Sequence, residues 1–221
     1  MWYYVVMVAK SDTTRWEPVP AWLAGERVCV VQFSHQETIA LMSAGFIPED
    51  GTIELLDGFL VRKDRSALGE DLKMVGTAHR NCVENLSLLR SRLADGLVHL
   101  QSQQPLLCAE DHTPEPDAML VRGTLKDYVD RDVTASDVLC VIEVADSSYE
   151  RDVGLKLTRY AQAGVGQYVV INLRNGTAEV YTQPKADGEF GERKVIESTG
   201  RLSLCTGDEQ WVEVAMSAIL P

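Results

Sequence analysis

The stretch from Asp137 to Leu173 constrains the fold more than any other. Val138–Ala145 is apolar at every position but one, as in a strand covered on both faces. The exception is Glu143, and a carboxylate inside such a strand costs several kcal/mol unless something compensates it. Helix signals follow directly. Asp146, Ser147 and Ser148 are candidate N-caps, Leu155, Leu157, Tyr160 and Ala161 build an apolar face, and Gly164 stands at the stop. Gln167–Leu173 then reads as a second buried strand. Strand, crossover helix and strand imply a parallel pair, with Lys156 on the helix able to bring an ammonium toward Glu143. A second acid, Asp117, opens the apolar run Pro116–Val121.

The rest of the chain adds elements around this unit. Ser34-His-Gln-Glu37 has capping-box spacing before a short helix, and Gly45 marks its end. Asp57-Gly58 between Ile53–Leu56 and Phe59–Val61 predicts a β-hairpin. Residues 63–76 read as a polar loop. Thr77 is placed to cap a helix over 78–94, where Val83, Leu86, Leu89 and Leu93 recur at helical spacing. Leu97–Cys108 is mixed but extended in character, and Pro105 argues for an edge or an end rather than a central strand. Asn175-Gly176 turns the chain into an antiparallel neighbour, Thr177–Tyr181, and Glu189–Val214 reads as short peripheral strands with a closing turn. Residues 1–33 are expected to form an N-terminal extension with strands (Met1–Ala9, Val28–Val31), and 34–221 one main domain.

Composition limits the chemistry. The run Met1–Ala9 lacks a basic leader and is far shorter than the roughly 20 residues a membrane span needs, so no membrane association is expected. Five scattered cysteines, with no CxxC, suit reduced thiols and a cytoplasmic location. Four histidines without i, i+4 spacing give no zinc helix, so any metal should be oxygen-bound. A net charge of −12 weighs against a broad electrostatic grip on a polyanion. Between Phe59 and Asp95 the balance reverses, with seven basic residues against five acidic, which fits either a nucleic-acid patch or an ordinary solvated face.

With Pro116-Asp117 opening one strand, Glu143 late in another and Lys156 on the next helix, the chain resembles the PD-(D/E)XK nuclease superfamily. Its closest resemblance there is to the Uma family of restriction-endonuclease-like proteins. The residues that carry it are Ile53-Glu54-Leu-Leu-Asp-Gly58, Ala78-His79, Pro114-Glu-Pro-Asp117, Val141-Ile-Glu143-Val-Ala-Asp-Ser-Ser148, and Asp152-x-x-x-Lys156-x-x-x-Tyr160. The resemblance implies an α/β, restriction-endonuclease-like fold, a central mixed β-sheet flanked by helices. It also implies a nuclease hydrolysing phosphodiester bonds of nucleic acid, DNA in preference to RNA. Asp117 and Glu143 would bind Mg2+ (or Mn2+), Lys156 would orient or activate water, and Glu54 and His79 would stand near the site. A homodimer is a further expectation. The superfamily's usual lysine follows the Glu by two residues, where this chain has Ala145, so the role passes to Lys156.

Each assignment has a plainer rival. Asp152 and Lys156 are i, i+4 and could be a surface ion pair worth a few tenths of a kcal/mol. Glu54 could be an exposed strand acid, and His79 a packing residue near a helix end. As a whole, the fold could instead serve as a catalytically silent protein-interaction module.

Overall fold

The computed structural model describes residues 5–7, 16–18, 31–48, 51, 53–62, 76–93 and 96–221. The expected strand at Val28–Val31 and the loop at 63–76 lie almost wholly outside them. Contacts divide the chain into two units, Met1–Met74 with Ala109–Pro114, and Val75–Cys108 with Glu115–Pro221.

In the first unit, β1 (Val5–Met7) pairs antiparallel with β2 (Trp16–Pro18). Helix α1 (His35–Ser43) begins on the expected capping box, with Ser34 Oγ accepting from the Glu37 N–H and the Glu37 carboxylate accepting from the Ser34 N–H. Gly45 ends it in the left-handed region at φ 75°. The hairpin joins β3 (Ile53–Leu56) to β4 (Phe59–Arg62), and Asp57 and Gly58 both adopt positive φ, as a two-residue hairpin turn of this hand requires. Ile47, Ile53, Leu55 and Leu60 form this unit's core.

The second unit is built on a six-stranded mixed sheet in the order β10-β9-β8-β7-β6-β5. Its strands are β5 (Val98–Gln101), β6 (Ala118–Arg122), β7 (Val138–Ala145), β8 (Gln167–Asn172), β9 (Thr177–Pro184) and β10 (Phe190–Ile196). The β7–β8 pair is parallel and every other neighbour is antiparallel. That parallel pair exists because the chain crosses over through α3 (Tyr149–Arg151), a π-helical turn at Asp152–Lys156, and α4 (Leu157–Gln162). The terminal residues form the hairpin β11 (Arg201–Gly207) and β12 (Gln210–Ala215), then α5 (Met216–Ile219), a short helix where a turn was expected.

Strand alternation sends β7 side chains to two cores. Cys140, Ile142 and Val144 face one with Cys82 and Leu86 of α2 (Thr77–Ser87), Leu202 and Leu204 of β11, and Met216 and Ile219 of α5. Val141 and Ala145 face the other, with Tyr160, Tyr168, Val170 and Tyr181. Glu143 lies between Val141 and Ala145 and shares their face.

Three local expectations need correction. Gly76, not Thr77, is the N-cap of α2, and Thr77 is its first residue. The helix over 78–94 is α2 followed by a 3-10 turn, Leu88–Arg92. Asp117 precedes β6 instead of opening it. No helix among the described residues is long and apolar enough to cross a membrane.

Candidate active site

The second unit brings four of the five predicted site residues into two contacting pairs. Lys156 Nζ donates to Glu143 Oε1 at 3.0 Å, and the Tyr160 hydroxyl donates to the same oxygen at 3.0 Å. Both donors come from the crossover helix, one turn apart. Glu143 is 3% exposed and Lys156 2%, so the pair is a buried ion pair and the surface-pair reading of Lys156 with Asp152 is overturned. The physical reason is that the apolar stripe of this helix, Tyr149, Val153, Leu157 and Tyr160, packs on the Glu143 face and carries Lys156 inward with it.

Asp117 comes to the same place from the neighbouring strand. Ala118, the first residue of β6, is paired with Ile142, and Asp117 stands one residue before it, toward the Glu143 end of that pair. Asp117 does not continue the backbone ladder there. Its Oδ2 accepts the Val144 N–H at 2.8 Å and contacts His79 Nε2 at 3.2 Å, which orients the carboxylate from two directions. Burial works against a charged His79 ring, but the Asp117 carboxylate outweighs it and the ring titrates above the ordinary histidine value. His79 thus contacts the site acid instead of only packing at a helix end.

Glu54 belongs to the first unit. It is 1% exposed in the middle of β3, paired across the hairpin with Val61, which overturns the exposed-acid reading. The whole of β3 is buried, so alternation did not leave its acid in solvent.

Two acids outside the predicted site residues also sit on this framework. Asp152 is 1% exposed and its Oδ2 accepts the Ser148 hydroxyl at 2.6 Å. Ser148 occupies the N-cap position, but its side chain serves Asp152 and makes no capping bond. Burial raises the Asp152 pKa, the Lys156 ammonium and the Ser148 bond oppose the rise, and Asp117 adds to it. Glu179 of β9 lies two strands from Glu143 in the same row, through Val170. Its carboxylate accepts Tyr149 and Tyr181 hydroxyls at 2.5 Å each and Arg193 at 2.8 Å. Burial alone would raise its pKa, and these three donors hold it below the usual carboxylate range. The crossover helix is therefore tied to the sheet at two acids, by Lys156 and Tyr160 at Glu143 and by Tyr149 at Glu179.

The hard oxygens of Asp117 and Glu143 suit a small divalent cation. Among the described residues no three His, Cys, Asp or Glu side chains converge as a ready ion cage. Magnesium is commonly held by one or two carboxylates with water and substrate phosphate, so a two-acid donor set fits it.

A family model, Uma2, described as "Putative restriction endonuclease", matches residues 40–217. The chain belongs to the Uma2 family. A solved structure with the same fold is that of a "putative nuclease belonging to DUF820" from Anabaena variabilis ATCC 29413, at 13% identity and a TM-score of 0.58. The match covers 81% of this chain and 96% of that one, so the Uma2 chain shares the α/β fold of that protein, a central mixed sheet flanked by helices. No curated protein sequence matches the chain.

Proposed function

We propose that this Uma2 chain is a divalent-cation-dependent endonuclease that hydrolyses phosphodiester bonds, of DNA in preference to RNA. Asp117 and Glu143 are its ligands for Mg2+ (or Mn2+), and Lys156 orients the attacking water. The observation that carries the reading is the buried Lys156–Glu143 contact at 3.0 Å, with Asp117 accepting the N–H of Val144, the residue after Glu143. An ammonium and two acids held at one sheet position supply the parts a phosphodiesterase needs. The names given to the family and to the Anabaena protein point the same way.

A divalent cation there would neutralise charge on the phosphate and make bound water more acidic. The chain's own groups do the rest. The Val144 N–H and His79 fix the Asp117 carboxylate, and Tyr160 fixes that of Glu143. Lys156 places a positive charge beside the acids, where negative charge accumulates as the water oxygen bonds to phosphorus and the ester P–O bond breaks. The protein acts in the cytoplasm as a homodimer, for which the exposed Leu125 and Val129 offer apolar surface to cover. Light scattering at micromolar protein tests the dimer.

The net charge of −12 favours a second reading, a catalytically silent interaction module. Calorimetric titration with Mg2+ separates the two. The enzyme reading expects saturable binding that raises the unfolding free energy by about 2.7 kcal/mol at a hundredfold excess over Kd, and that is abolished in Asp117→Ala. The module reading expects no binding and no change in stability.

A further inference from the structure

Asp152 is the least explained charged group of the second unit. A carboxylate has about four acceptor positions. Here one oxygen, Oδ2, takes the Ser148 hydroxyl, while Oδ1 is buried and has no hydrogen-bond partner among the described residues. The cation that sequence spacing would assign to it, Lys156 at i+4, reaches Glu143 instead. Buried polar atoms are nearly always hydrogen-bonded, and an exception in a folded protein points to a catalytic role or to a bound water or ion.

The surroundings decide which. Asp152 and Lys156 are the two ends of the π-helical turn, and turns of this kind inside a helix are frequent at functional sites. Both end residues are buried: Lys156 bonds Glu143, and Asp152 lies within electrostatic reach of Lys156 and Asp117. The Tyr168 hydroxyl, from β8, bonds the Asp152 backbone carbonyl at 2.9 Å and anchors the turn to the floor of the sheet. Asp152 is thus held in place through its backbone and through Oδ2, and Oδ1 is the part left for a ligand.

We propose that Asp152 is a third acidic member of the active centre, whose Oδ1 accepts a hydrogen bond from the water that attacks the phosphodiester. The inference rests on the nuclease reading and deepens it: Lys156 and Asp152 hold the water from opposite charges, a donor on one side and an acceptor on the other. Asp152 is no metal ligand in this scheme, so it acts on the water's orientation and not on cation affinity. The ligand is water, and two fixed contacts to it confer the alignment that orientation-dependent catalysis requires.

Two measurements test it. Asp152→Asn keeps the side chain's size and the acceptor for Ser148. With Mg2+ and saturating plasmid DNA its single-turnover cleavage rate should fall at least tenfold, with calorimetric Mg2+ affinity and half-saturating DNA concentration within twofold of the parent. A rate within twofold of the parent overturns the proposal, and so does a Mg2+ affinity that falls in step with the rate. The second measurement needs no activity and no variant: a crystal structure of the parent chain at a resolution that shows water. Density for a water within hydrogen-bond distance of Oδ1 is expected, and an Oδ1 packed against carbon alone overturns the proposal even if the protein cleaves. A parent chain inert toward DNA and RNA removes the nuclease reading and the catalytic role of Asp152 with it. A cleaving parent and an equally active Asp152→Asn removes Asp152 alone.

Discussion

Replacing Lys156 by Met tests the buried ion pair directly. Methionine keeps much of the stem's length and removes the ammonium. In the parent, Lys156 is 2% exposed and bonded at 3.0 Å to a Glu143 that is 3% exposed, so solvent screening is small. Removing one partner of such a pair leaves an uncompensated buried charge and costs about 3–5 kcal/mol. A surface i, i+4 pair with Asp152 would instead be worth about 0.3–0.5 kcal/mol. For a chain of this size each kcal/mol moves the Tm by about 2–4 °C, so the two cases differ as about 6–20 °C against less than about 2 °C. The assay is urea denaturation at pH 7.5 in EDTA, followed by far-UV circular dichroism. Lys156→Met with Glu143→Gln should recover part of the loss, because the double variant has no orphaned carboxylate. A Lys156→Met protein within about 0.5 kcal/mol of the parent would refute the buried-pair argument.

Other consequences are independent of chemistry at the phosphate. Glu179 has a folded pKa below its unfolded value, so it adds stability above the ordinary carboxylate pKa, and that contribution is lost as pH falls through the folded value. Urea titrations of Glu179→Gln should therefore show a shallower loss of stability below about pH 4.5 than the parent, and a parallel curve would contradict the network. Gly58→Ala should destabilise the first unit by more than about 1 kcal/mol in the same assay, since Gly58 has φ 78° and an added Cβ would lie 2.6 Å from Gln32 Cβ. Burial pushes the Cys82 and Cys108 thiols up to about 12, so iodoacetamide at pH 8 should leave both unmodified in the folded protein and alkylate them promptly in urea.

Local patterns carried much of this architecture. Val138–Ala145 is β7 with the bounds that its apolar run implies, and its parallel pairing with β8 follows from the helix between them. Asp57-Gly58 and the Ser34–Glu37 capping box specify their turns through backbone chemistry within a few residues, which a sequence displays openly. What was hidden depends on partners distant in the chain. Asp152 looks like half of an exposed i, i+4 pair until the helix is seen to turn that side toward the sheet. Glu179 alternates among apolar neighbours much as an exposed strand acid would, and two of its three donors, Tyr149 and Arg193, lie 30 and 14 residues away. The π-helical turn at Asp152–Lys156 was not read from the sequence, where the stretch passes for ordinary helix between the cap candidates at 146–148 and Gly164. The return of Ala109–Pro114 to the first unit is equally silent, since it rests on a bridge from Leu55 to Thr113.

In the function proposed above, Asp117, Glu143 and Lys156 form a phosphodiester-cleaving centre. Its most direct test is cleavage of supercoiled plasmid DNA by purified protein with Mg2+ or Mn2+, read by conversion to nicked and linear forms, with Asp117→Ala and Lys156→Ala purified in parallel. The parent should cut in a metal-dependent manner, Asp117→Ala should lose both cutting and metal binding, and Lys156→Ala should bind metal while cutting orders of magnitude more slowly. A parent that leaves plasmid, single-stranded DNA and RNA intact, or a Lys156→Ala protein that cuts as fast as the parent, would contradict it.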